Sequence, residues 1–486
     1  MKAPRPPRFL VPAIAASQFA PPFMVSGVAV ALPSLGADLG AGATALSLVE
    51  TLFLAASVAL LLPAGRLGDA SDKVALYKVG LVAFALCSLA VGLVSSVPAV
   101  LALRVVQGIA SAAVQSAGPA IIADAVPPER RGRAYGITIG AVYVGLTLGP
   151  IVAGVLVDLW GWRAVFLAGG AMVFALIMPM HFMLRAKWRR PPARAVHLPS
   201  TALIIAAMLA LVSGAATLRE GASGYAGVAL GLVLLVVFVF TQRHVARPLL
   251  DVALLARNRV LSGALFVQWL LYSNAFGQVF LLSLYMQSVL GQAANTAGEV
   301  LAVGTLLMAA IAPAAGALAD RLRPTLIASG GVAVVLVSSL MGTFLHAGSS
   351  LVQVALVLAV QGVGFAFFSS PNMATVMNAV PRELSGIASA LSASARSLGM
   401  VSGMLVVAAL VSLNLGHEPV GADPARYIAT MHTAFWILAA VTAAALTVSL
   451  LRPGRQTPNQ GSDPEFAASA RATPPRRRSR WRWRRW

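Results

Sequence analysis

Apolar stretches of about 20 residues recur along the chain, and short polar segments separate them. A helix of this length can cross the hydrocarbon core of a bilayer, which is about 30 Å thick. No stretch shows the apolar–polar alternation that is typical of a strand in a membrane barrel. The pattern therefore predicts fourteen membrane-spanning helices, at residues 9–33, 46–64, 77–96, 99–122, 134–157, 163–184, 198–217, 225–242, 259–288, 296–315, 325–346, 351–374, 386–413 and 429–451.

The composition agrees with a membrane protein and argues against a soluble enzyme. Of 486 residues, 58% are hydrophobic and 11% are charged, whereas a soluble domain contains about 25% charged residues. A soluble protein this apolar would expose large hydrophobic patches. Part of the net charge of +20 lies in the arginine- and tryptophan-rich segment 452–486. Such a segment suits contact with anionic lipid better than it indicates binding to nucleic acid.

The basic residues follow the positive-inside rule. If the N-terminus is cytoplasmic, 31 of the 36 lysines and arginines lie on the cytoplasmic side. Three of the others, Arg163, Arg219 and Arg426, lie outside, and Arg104 and Arg396 fall within predicted spans. This distribution predicts an inner-membrane protein with both termini in the cytoplasm and an even number of spans.

An internal repeat divides the chain. Gly65-Arg-Leu-Gly-Asp69 follows the second predicted span, and Gly316-Ala-Leu-Ala-Asp320 follows the tenth, 251 residues later. Equivalent loops at this spacing predict two six-helix halves with two extra helices between them, and paired halves are a recurring plan of transporters. The predicted domains are residues 1–184 and 259–451 for the halves, 185–258 for the extra helices and 452–486 for a basic tail.

Four motifs carry a resemblance to a known family. They are a charged loop, a buried arginine, a glycine-rich stretch and the start of the sixth span: residues 65–73, Arg104-Val-Val-Gln107-Gly108, Gly145-Leu-Thr-Leu-Gly149-Pro150-Ile-Val-Ala153-Gly154 and Gly161-Trp162-Arg163. Together they resemble the major facilitator superfamily, in particular its fourteen-span drug:proton antiporter branch. The resemblance implies an all-α integral membrane fold of two six-helix halves plus two central helices, and export of amphipathic compounds in exchange for protons.

The chain departs from that branch in two places. The branch usually carries a membrane-embedded aspartate upstream of an Ala-Leu-Pro sequence in the first span. Here residues 31–33 are Ala-Leu-Pro, but Met24 takes the place of the aspartate. A thioether cannot exchange protons, so the resemblance supports the fold more strongly than it supports the usual proton coupling. In the charged loop, Ala70 and Asp72 stand where the family usually has arginine and glycine.

Three ionisable residues are candidates for proton coupling: Glu50, Glu299 and Arg104. Ionisable groups inside a bilayer are costly and usually serve a function. Glu50 and Glu299 lie about 22 and 25 Å from the loops that follow their spans, near the outer mouth. One or both are expected to bind a proton or a cationic substrate; the alternative is that both are hydrated acids at the start of their helices. Arg104 is expected to hold a carboxylate or to organise proton release; the alternative is a structural arginine that bonds backbone carbonyls.

A second set of residues is predicted to line a substrate cavity, because amides, phenols and a guanidinium among apolar residues suit an amphipathic ligand. Its members are Gln107, Gln115, Tyr143, Gln268, Tyr272, Asn274, Gln278, Tyr285 and Arg396. The alternative interpretation of the polar residues in the ninth span, among them Asn274 and Gln278, is hydrogen bonding between helices.

The repeated loops are predicted gates on the inner side. Asp69 and Lys73 after Gly65, and Asp320 and Arg321 in the second loop, are expected to pair across the loops when that side is closed. A few kcal/mol between two conformations is enough to control access. The alternative is a pair of solvated loops that carry positive-inside charges.

The fifth span is expected to act as a packing surface and a hinge. Gly145, Gly149 and Gly154 lack side chains, so that another helix can approach closely. Pro150 leaves a carbonyl without its helical partner and bends the helix, which would bias the side that opens.

No motif of an enzyme, a cofactor or a metal site is present in the sequence, and the lone cysteine, Cys87, forms no intrachain disulfide. The prediction is a monomeric secondary exporter of small amphipathic molecules, coupled to protons and independent of nucleic acid. Two alternatives stay open. One is an uncoupled or differently coupled exporter of metabolites or lipids, and the other is a membrane receptor or scaffold that transports nothing.

Overall fold

The computed structural model describes residues 9–41, 43–183, 197–216, 221–245, 248–249, 252–415 and 423–451. Within these residues every element is helical. The first eight helices are α1 (Leu10–Leu39), α2 (Ala43–Ala70), α3 (Lys73–Leu93), α4 (Val97–Ala125), α5 (Arg131–Trp160), α6 (Trp162–Met183), α7 (Leu198–Ala216) and α8 (Ala222–Gln242). The others are α9 (Val252–Arg257), α10 (Arg259–Ser288), α11 (Ala294–Ala319), α12 (Pro324–Gly342), α13 (Leu351–Asn378), α14 (Ser385–Leu415) and α15 (Pro424–Leu450).

Twelve of these helices are long and apolar enough to cross a membrane. In α6 and α7 the apolar stretches are shorter, covering Trp162–Leu176 and Leu198–Leu211. The ninth to fourteenth predicted spans correspond to α10–α15. An all-helical membrane protein is therefore confirmed, while the count of fourteen spans stays a prediction. The predicted basic tail, the first residues of the predicted segment 185–258 (up to residue 196), and Arg219 lie outside the described residues.

Local sequence explains where several helices begin and end. The Asp72 carboxylate accepts hydrogen bonds from Val74 N and Ala75 N and caps α3, so this departure from the family pattern has a local structural role. Ser350 and Gln353 form a reciprocal capping box at the start of α13. Gly40 ends α1 with φ of 62°, a backbone conformation that favours glycine.

The long helices pack in two groups. In the first group α1 packs on α5 and α6, α2 packs on α4, and α3 packs on α4 and α6. In the second group α10 packs on α14 and α15, and α13 packs on α11 and α12. The main contacts between the groups join α5 to α11 and α13, and α14 to α2 and α4. This arrangement matches the predicted pair of six-helix halves, although their residue boundaries stay predictions.

The two extra helices lie beside this bundle. α7 packs on α8 and on α2. A hydrophobic cluster joins Met208 of α7 and Phe238 of α8 to Leu62 of α2 and Ile387 of α14. Most of α8 is exposed on the outside of the bundle, since only 17% of its most apolar stretch is buried. In a bilayer this apolar outer face is solvated by lipid tails.

Glycines allow α1 to lie directly against α5, as predicted for two of three positions. A Cβ atom on Gly145 would lie 2.5 Å from the Phe19 carbonyl oxygen, and one on Gly149 would lie 2.6 Å from that of Phe23. The prediction is wrong for Gly154, because a Cβ atom there would have no atom within 4 Å. Pro150 lies within the continuous helix α5, and its role as a hinge stays a prediction.

Candidate functional site

The loop between α2 and α3 binds the start of α14 through a cluster that we call the charged latch, formed by Asp69, Lys73, Asp124 and residues 385–387. The Asp69 carboxylate accepts hydrogen bonds from Gly386 N and Ile387 N, both at 2.8 Å. Lys73 Nζ lies 3.2 Å from Asp69 and 2.9 Å from Asp124. All three charged side chains are at most 11% exposed. A helix N-terminus, a cation and two carboxylates therefore meet where the two groups of helices touch.

Ser385 completes the charged latch. Its hydroxyl accepts a hydrogen bond from Lys73 Nζ at 2.7 Å and donates one to Asp124 Oδ1 at 3.0 Å. Lys73 Nζ also donates to the Arg382 carbonyl at 3.0 Å. Every donor position of the ammonium group is thus used, which offsets the cost of its partial burial.

The loop after α11 binds the start of α5 in the same way. We call this cluster the neutral latch because, among the described residues, its carboxylate forms no ion pair and is attracted by Arg133 and Arg130 only at longer range. Asp320 accepts hydrogen bonds from Gly132 N at 2.7 Å and Arg133 N at 3.0 Å. The expected pairing with Arg321 is wrong, since Asp320 forms no ion pair among the described residues and Arg321 is exposed. Burial raises the pKa of the Asp320 carboxyl, and hydrogen bonds from Arg133 N and Gly132 N oppose that rise.

A second repeat accounts for the symmetry of the latches, and the first repeat gave no sign of it. Residues 124–132 read Asp-Ala-Val-Pro-Pro-Glu-Arg-Arg-Gly, and residues 378–386 read Asn-Ala-Val-Pro-Arg-Glu-Leu-Ser-Gly. Each contains a single-turn helix, Pro128–Arg130 or Arg382–Leu384, before the helix that the aspartate caps. Because of this repeat, Asp124 and Asn378 occupy equivalent places in the two latches.

The neutral latch uses an arginine where the charged latch uses a serine. Arg131 Nη1 donates to Asn378 Oδ1 at 2.5 Å, as Ser385 donates to Asp124. Its other nitrogen atoms bind the Val126 and Ala123 carbonyls. The same backbone arrangement thus holds a network of charges in one latch and a single arginine–amide contact in the other.

Away from the latches, the described residues contain four buried side-chain polar atoms without a hydrogen-bond partner. They are Glu50 Oε1, Arg104 Nη2, Tyr143 Oη and Ser369 Oγ. A buried polar atom without a partner costs free energy, so such atoms often mark sites where a proton, a water molecule or a ligand binds. The four atoms fall in two places.

The first place lies within the first group of helices, around Arg104. Its side chain is fully buried and donates to the Val49 carbonyl at 2.8 Å and to Gln107 Oε1 at 2.7 Å. The guanidinium also lies 4.4 Å from the centre of the Phe53 ring. Gln107 in turn donates to Ser88 Oγ at 2.6 Å. Both interpretations of Arg104 therefore have support: it bonds a backbone carbonyl and keeps one nitrogen free.

Glu50 is the acid that faces Arg104. The two charges interact, although no ion pair within 4.0 Å joins them. Glu50 is half-buried, whereas Glu299 is exposed near the start of α11. Met24 is fully buried and its thioether packs against Gly169 of α6. Of the predicted coupling residues, the structure therefore brings together Glu50 and Arg104 and leaves Glu299 apart.

The second place is the central junction, which we define by Gln115, Tyr143, Tyr272, Ser369 and Arg396. The neighbours of the Tyr143 hydroxyl are Tyr272, Ser369 and Arg396. Arg396 Nη2 donates to Gln115 Oε1 at 2.8 Å and so links the second group of helices to the first. The junction thus contains four of the predicted cavity residues, together with Ser369, which the sequence pattern did not single out.

The other predicted cavity residues of α10 lie elsewhere. Asn274 and Gln278 are fully buried and bond Ser339 of α12, while Asn274 also bonds Thr442 of α15. The Tyr285 hydroxyl donates to the His346 carbonyl at 2.5 Å. These partners belong to the second group of helices, so the interhelical interpretation is correct for these residues and the cavity prediction is wrong.

Gln268 is also satisfied within the second group. Its amide nitrogen donates to the Ser392 carbonyl, and its oxygen accepts from Ser392 Oγ at 3.0 Å and Asn372 Nδ2 at 3.3 Å. This pattern joins α10, α13 and α14 beside the central junction. It therefore supports a structural role in holding the helix that carries Arg396.

Comparison with known proteins agrees with this architecture. The model of the Major Facilitator Superfamily matches residues 14–404 and 264–485. "Uncharacterized transporter YebQ" of Escherichia coli is 30% identical over 429 residues, which cover 87% of this chain and 91% of that protein. "Multidrug resistance protein Stp" of Mycobacterium tuberculosis is 28% identical, covering 79% of this chain and 72% of Stp.

Two further proteins are similar. The "Tetracenomycin C resistance and export protein" of Streptomyces glaucescens is 29% identical over 401 residues, covering 80% of this chain and 73% of that protein. A crystal structure of the human organic anion transporter MFSD10 (TETRAN) superposes with a TM-score of 0.64 at 15% identity, covering 92% of this chain and all of that one. That structural likeness shows the fold alone. The chain is a multi-pass membrane transporter, not an enzyme, and it belongs to the Major Facilitator Superfamily.

Proposed function

We propose that this chain exports amphipathic organic compounds across the bacterial inner membrane in exchange for protons, and that Glu50 carries the proton. The family and the resistance exporters among its relatives support export. One observation supports the coupling site: Glu50 Oε1 and Arg104 Nη2 are buried, unpartnered and complementary in charge. Protonation of the carboxylate would remove its attraction to the guanidinium, so the pair can exist in two states.

The helix α2 offers a route from this pair to the charged latch. Glu50 lies seven residues from the start of α2, and Asp69 lies next to its end. At a rise of about 1.5 Å per residue, the two carboxylates are about 28 Å apart along α2, which contains Pro63 between them. A shift of α2 against α4 on protonation of Glu50 would therefore move Asp69 relative to the start of α14. In this mechanism a proton that enters from the outside helps to release the inner latch.

The latches suggest which conformation the structure represents. The end of the bundle that carries them is closed by contacts between the two groups of helices. The distribution of basic residues assigns that end to the cytoplasm. We therefore assign this conformation to the stage of the cycle in which the cytoplasmic side is shut. Alternating access then requires both latches to break together.

The test uses the full chain in sealed liposomes that contain a pH-sensitive dye. A proton gradient is imposed, and aromatic amphiphiles of positive, neutral and negative charge are added in turn. We expect at least one class to drive proton movement, and we expect Glu50→Gln to abolish that movement. Glu299→Gln is the matched control, because it removes an exposed acid near the same end of the bundle and should leave coupling intact.

An uncoupled facilitator is the second candidate, and Met24 is the observation that favours it. This buried thioether stands where the antiporter branch has a proton-binding aspartate. Substrate flux without proton movement in the wild-type protein would establish the facilitator and refute the antiporter. Coupled flux that survives in Glu50→Gln would keep the antiporter and reject Glu50 as its proton carrier.

A further inference from the structure

We infer that the central junction selects aromatic organic anions, with Arg396 as the group that binds their negative charge. This inference rests on the proposed function as an exporter and adds the charge class of the substrate. It concerns a different part of the molecule from the Glu50–Arg104 pair, which lies within the first group of helices.

The depth of Arg396 is the first reason. Within the described helices, it is the only aspartate, glutamate, lysine or arginine that lies more than eight residues from both ends of its helix. It follows the start of α14 by eleven residues, so it lies about 16 Å above the latches. In a hydrocarbon core about 30 Å thick, this is the middle of the membrane. A charge at that depth is costly unless it serves a function.

The partners of Arg396 are the second reason. The arginine is half-buried, and its hydrogen-bond partner is the neutral amide of Gln115. Among the described residues it forms no ion pair with a carboxylate. The other buried arginine at depth, Arg104, has Glu50 to balance its charge. The central junction therefore carries a net positive charge in a region of low dielectric, where an anion is attracted strongly and a cation is repelled.

Two hydroxyls of the central junction are the third reason. Tyr143 and Ser369 are 6% and 7% exposed, and neither hydroxyl forms a hydrogen bond of good geometry, although the Tyr143 hydroxyl lies near those of Ser369 and Tyr272. Tyr143 comes from the first group of helices and Ser369 from the second, and the Tyr143 hydroxyl interacts with both Ser369 and Arg396. A guanidinium and two hydroxyl donors can bind the oxygen atoms of one carboxylate, sulfonate or phenolate. Such a ligand would satisfy all of them at once.

Aromatic side chains supply the apolar part of this site. The ring of Tyr272 packs edge-to-face on Phe365 with 4.8 Å between ring centres, and Phe365 meets Phe368 at 6.0 Å. Tyr143 belongs to the same hydrophobic cluster. Rings in this arrangement favour contact with another flat ring. The site thus places a buried cluster of aromatic rings beside donors for an anionic group, and a ligand ring would pack on this cluster once the junction opens.

The test measures binding of three probes with one ring system, using the full chain in lipid nanodiscs and equilibrium dialysis. The probes are 2-naphthoate, neutral 2-naphthol and the cation 2-naphthylmethylammonium. We expect 2-naphthoate to bind more tightly than the cation, by about tenfold or more. Arg396→Gln should remove this preference, Arg396→Glu should invert it, and Arg396→Lys should retain it.

Arg426→Gln is the matched control, because it removes an exposed arginine at the start of α15 and should leave all three affinities unchanged. A merely structural role for Arg396 would weaken all three probes alike and leave their ratio unchanged, which would overturn the inference. If the wild-type protein binds the cation as tightly as 2-naphthoate, or more tightly, the inference is also overturned. Transport of that cation in liposomes would then still support the proposal that the protein is an exporter. If folded wild-type protein neither binds nor transports any class of probe, both proposals fall.

Discussion

The two latches have the same backbone and different side-chain chemistry. In each, an aspartate at the end of a helix accepts hydrogen bonds from two successive backbone N–H groups at the start of a helix in the other group. The charged latch adds Lys73 and Asp124 to Asp69. In the neutral latch Asp320 forms no ion pair among the described residues, and Arg133 and Arg130 attract it at longer range. Arg131 of this latch bonds Asn378.

The comparison separates the part of a latch that is common to both halves from the part that occurs in one half only. Backbone donors and a single acceptor are enough to define where the two groups of helices meet, so this part is the same in both latches. The lysine and its second carboxylate add a charge network that is little exposed and therefore weakly screened by salt. We expect the charged latch to contribute more to the free energy of the closed conformation than the neutral latch does.

The largest effect should come from removal of the capping carboxylates. Asp69→Ala loses two charge-assisted hydrogen bonds and an ion pair, so it should favour opening by about 3 kcal/mol or more. Asp320→Ala loses two hydrogen bonds and the longer-range attraction of Arg133 and Arg130, but no ion pair, and should have a smaller effect. The measurement is the distance between spin labels at exposed positions 67 and 383, and at 129 and 322, in a chain whose only cysteine, Cys87, has been replaced.

Arg321→Ala is the control for this pair, since its side chain is exposed and belongs to neither network. Equal shifts for Asp69→Ala and Asp320→Ala would show that the charges of Lys73 and Asp124 add nothing. The two latches would then differ in their residues but not in their contribution to the closed conformation.

An intermediate effect should follow from filling the close contacts that both latches share. A Cβ atom on Gly65 would lie 2.7 Å from the Gly386 carbonyl oxygen, and one on Gly132 would lie 2.5 Å from that of Gly316. Gly65→Ala and Gly132→Ala should each force the helices apart, at a cost of about 1–3 kcal/mol to the closed conformation.

The same spin-label distances measure this effect, with Gly154→Ala as the control because its Cβ atom would meet nothing within 4 Å. Since the backbone contact is duplicated, the two latch variants should open the bundle to a similar extent. If the spin-label distance increases at only one latch, the two latches open independently. Their shared backbone contacts would then not be equivalent.

The smallest effect should come from exchanging the equivalent residues Asp124 and Asn378. Asn378→Asp places a carboxylate next to Arg131 and should stabilise the closed conformation by about 1 kcal/mol, while Asp124→Asn should destabilise it by a similar amount. The rate of transport in liposomes should fall in the first variant if latch opening limits turnover. A change in the same direction for both variants would show that the charge of these residues does not decide latch strength.

Several parts of the site could be predicted from the sequence because they depend on local pattern. The repeat of Asp69 and Asp320 located both latches, and the burial of Arg104 followed from its position within an apolar stretch. The loop at 124–132 and its copy at 378–386 were equally visible in the sequence. The second repeat is hard to find from the first, because the two repeats are offset by 254 and 251 residues and no single spacing relates them.

Other parts could not be predicted, because they depend on how each helix is rotated about its axis. Gln107 and Gln115 lie on nearly the same face of α4, yet Gln107 bonds Ser88 in its own group while Gln115 bonds Arg396 across the junction. Asn274 and Tyr272 are two residues apart in α10. Asn274 is satisfied between helices, and Tyr272 reaches the central junction.

The sequence by itself determined the membrane class, the family resemblance, the duplicated loops and the candidates for charged groups at depth. Hydropathy and helix length suffice for this, because a bilayer requires apolar helices of a definite length. Only the tertiary structure decided which polar groups are satisfied and which are left open. That outcome depends on contacts between residues far apart in the chain, such as Asp69 with Gly386 and Arg396 with Gln115. Packing between helices, not their individual hydropathy, determines those contacts.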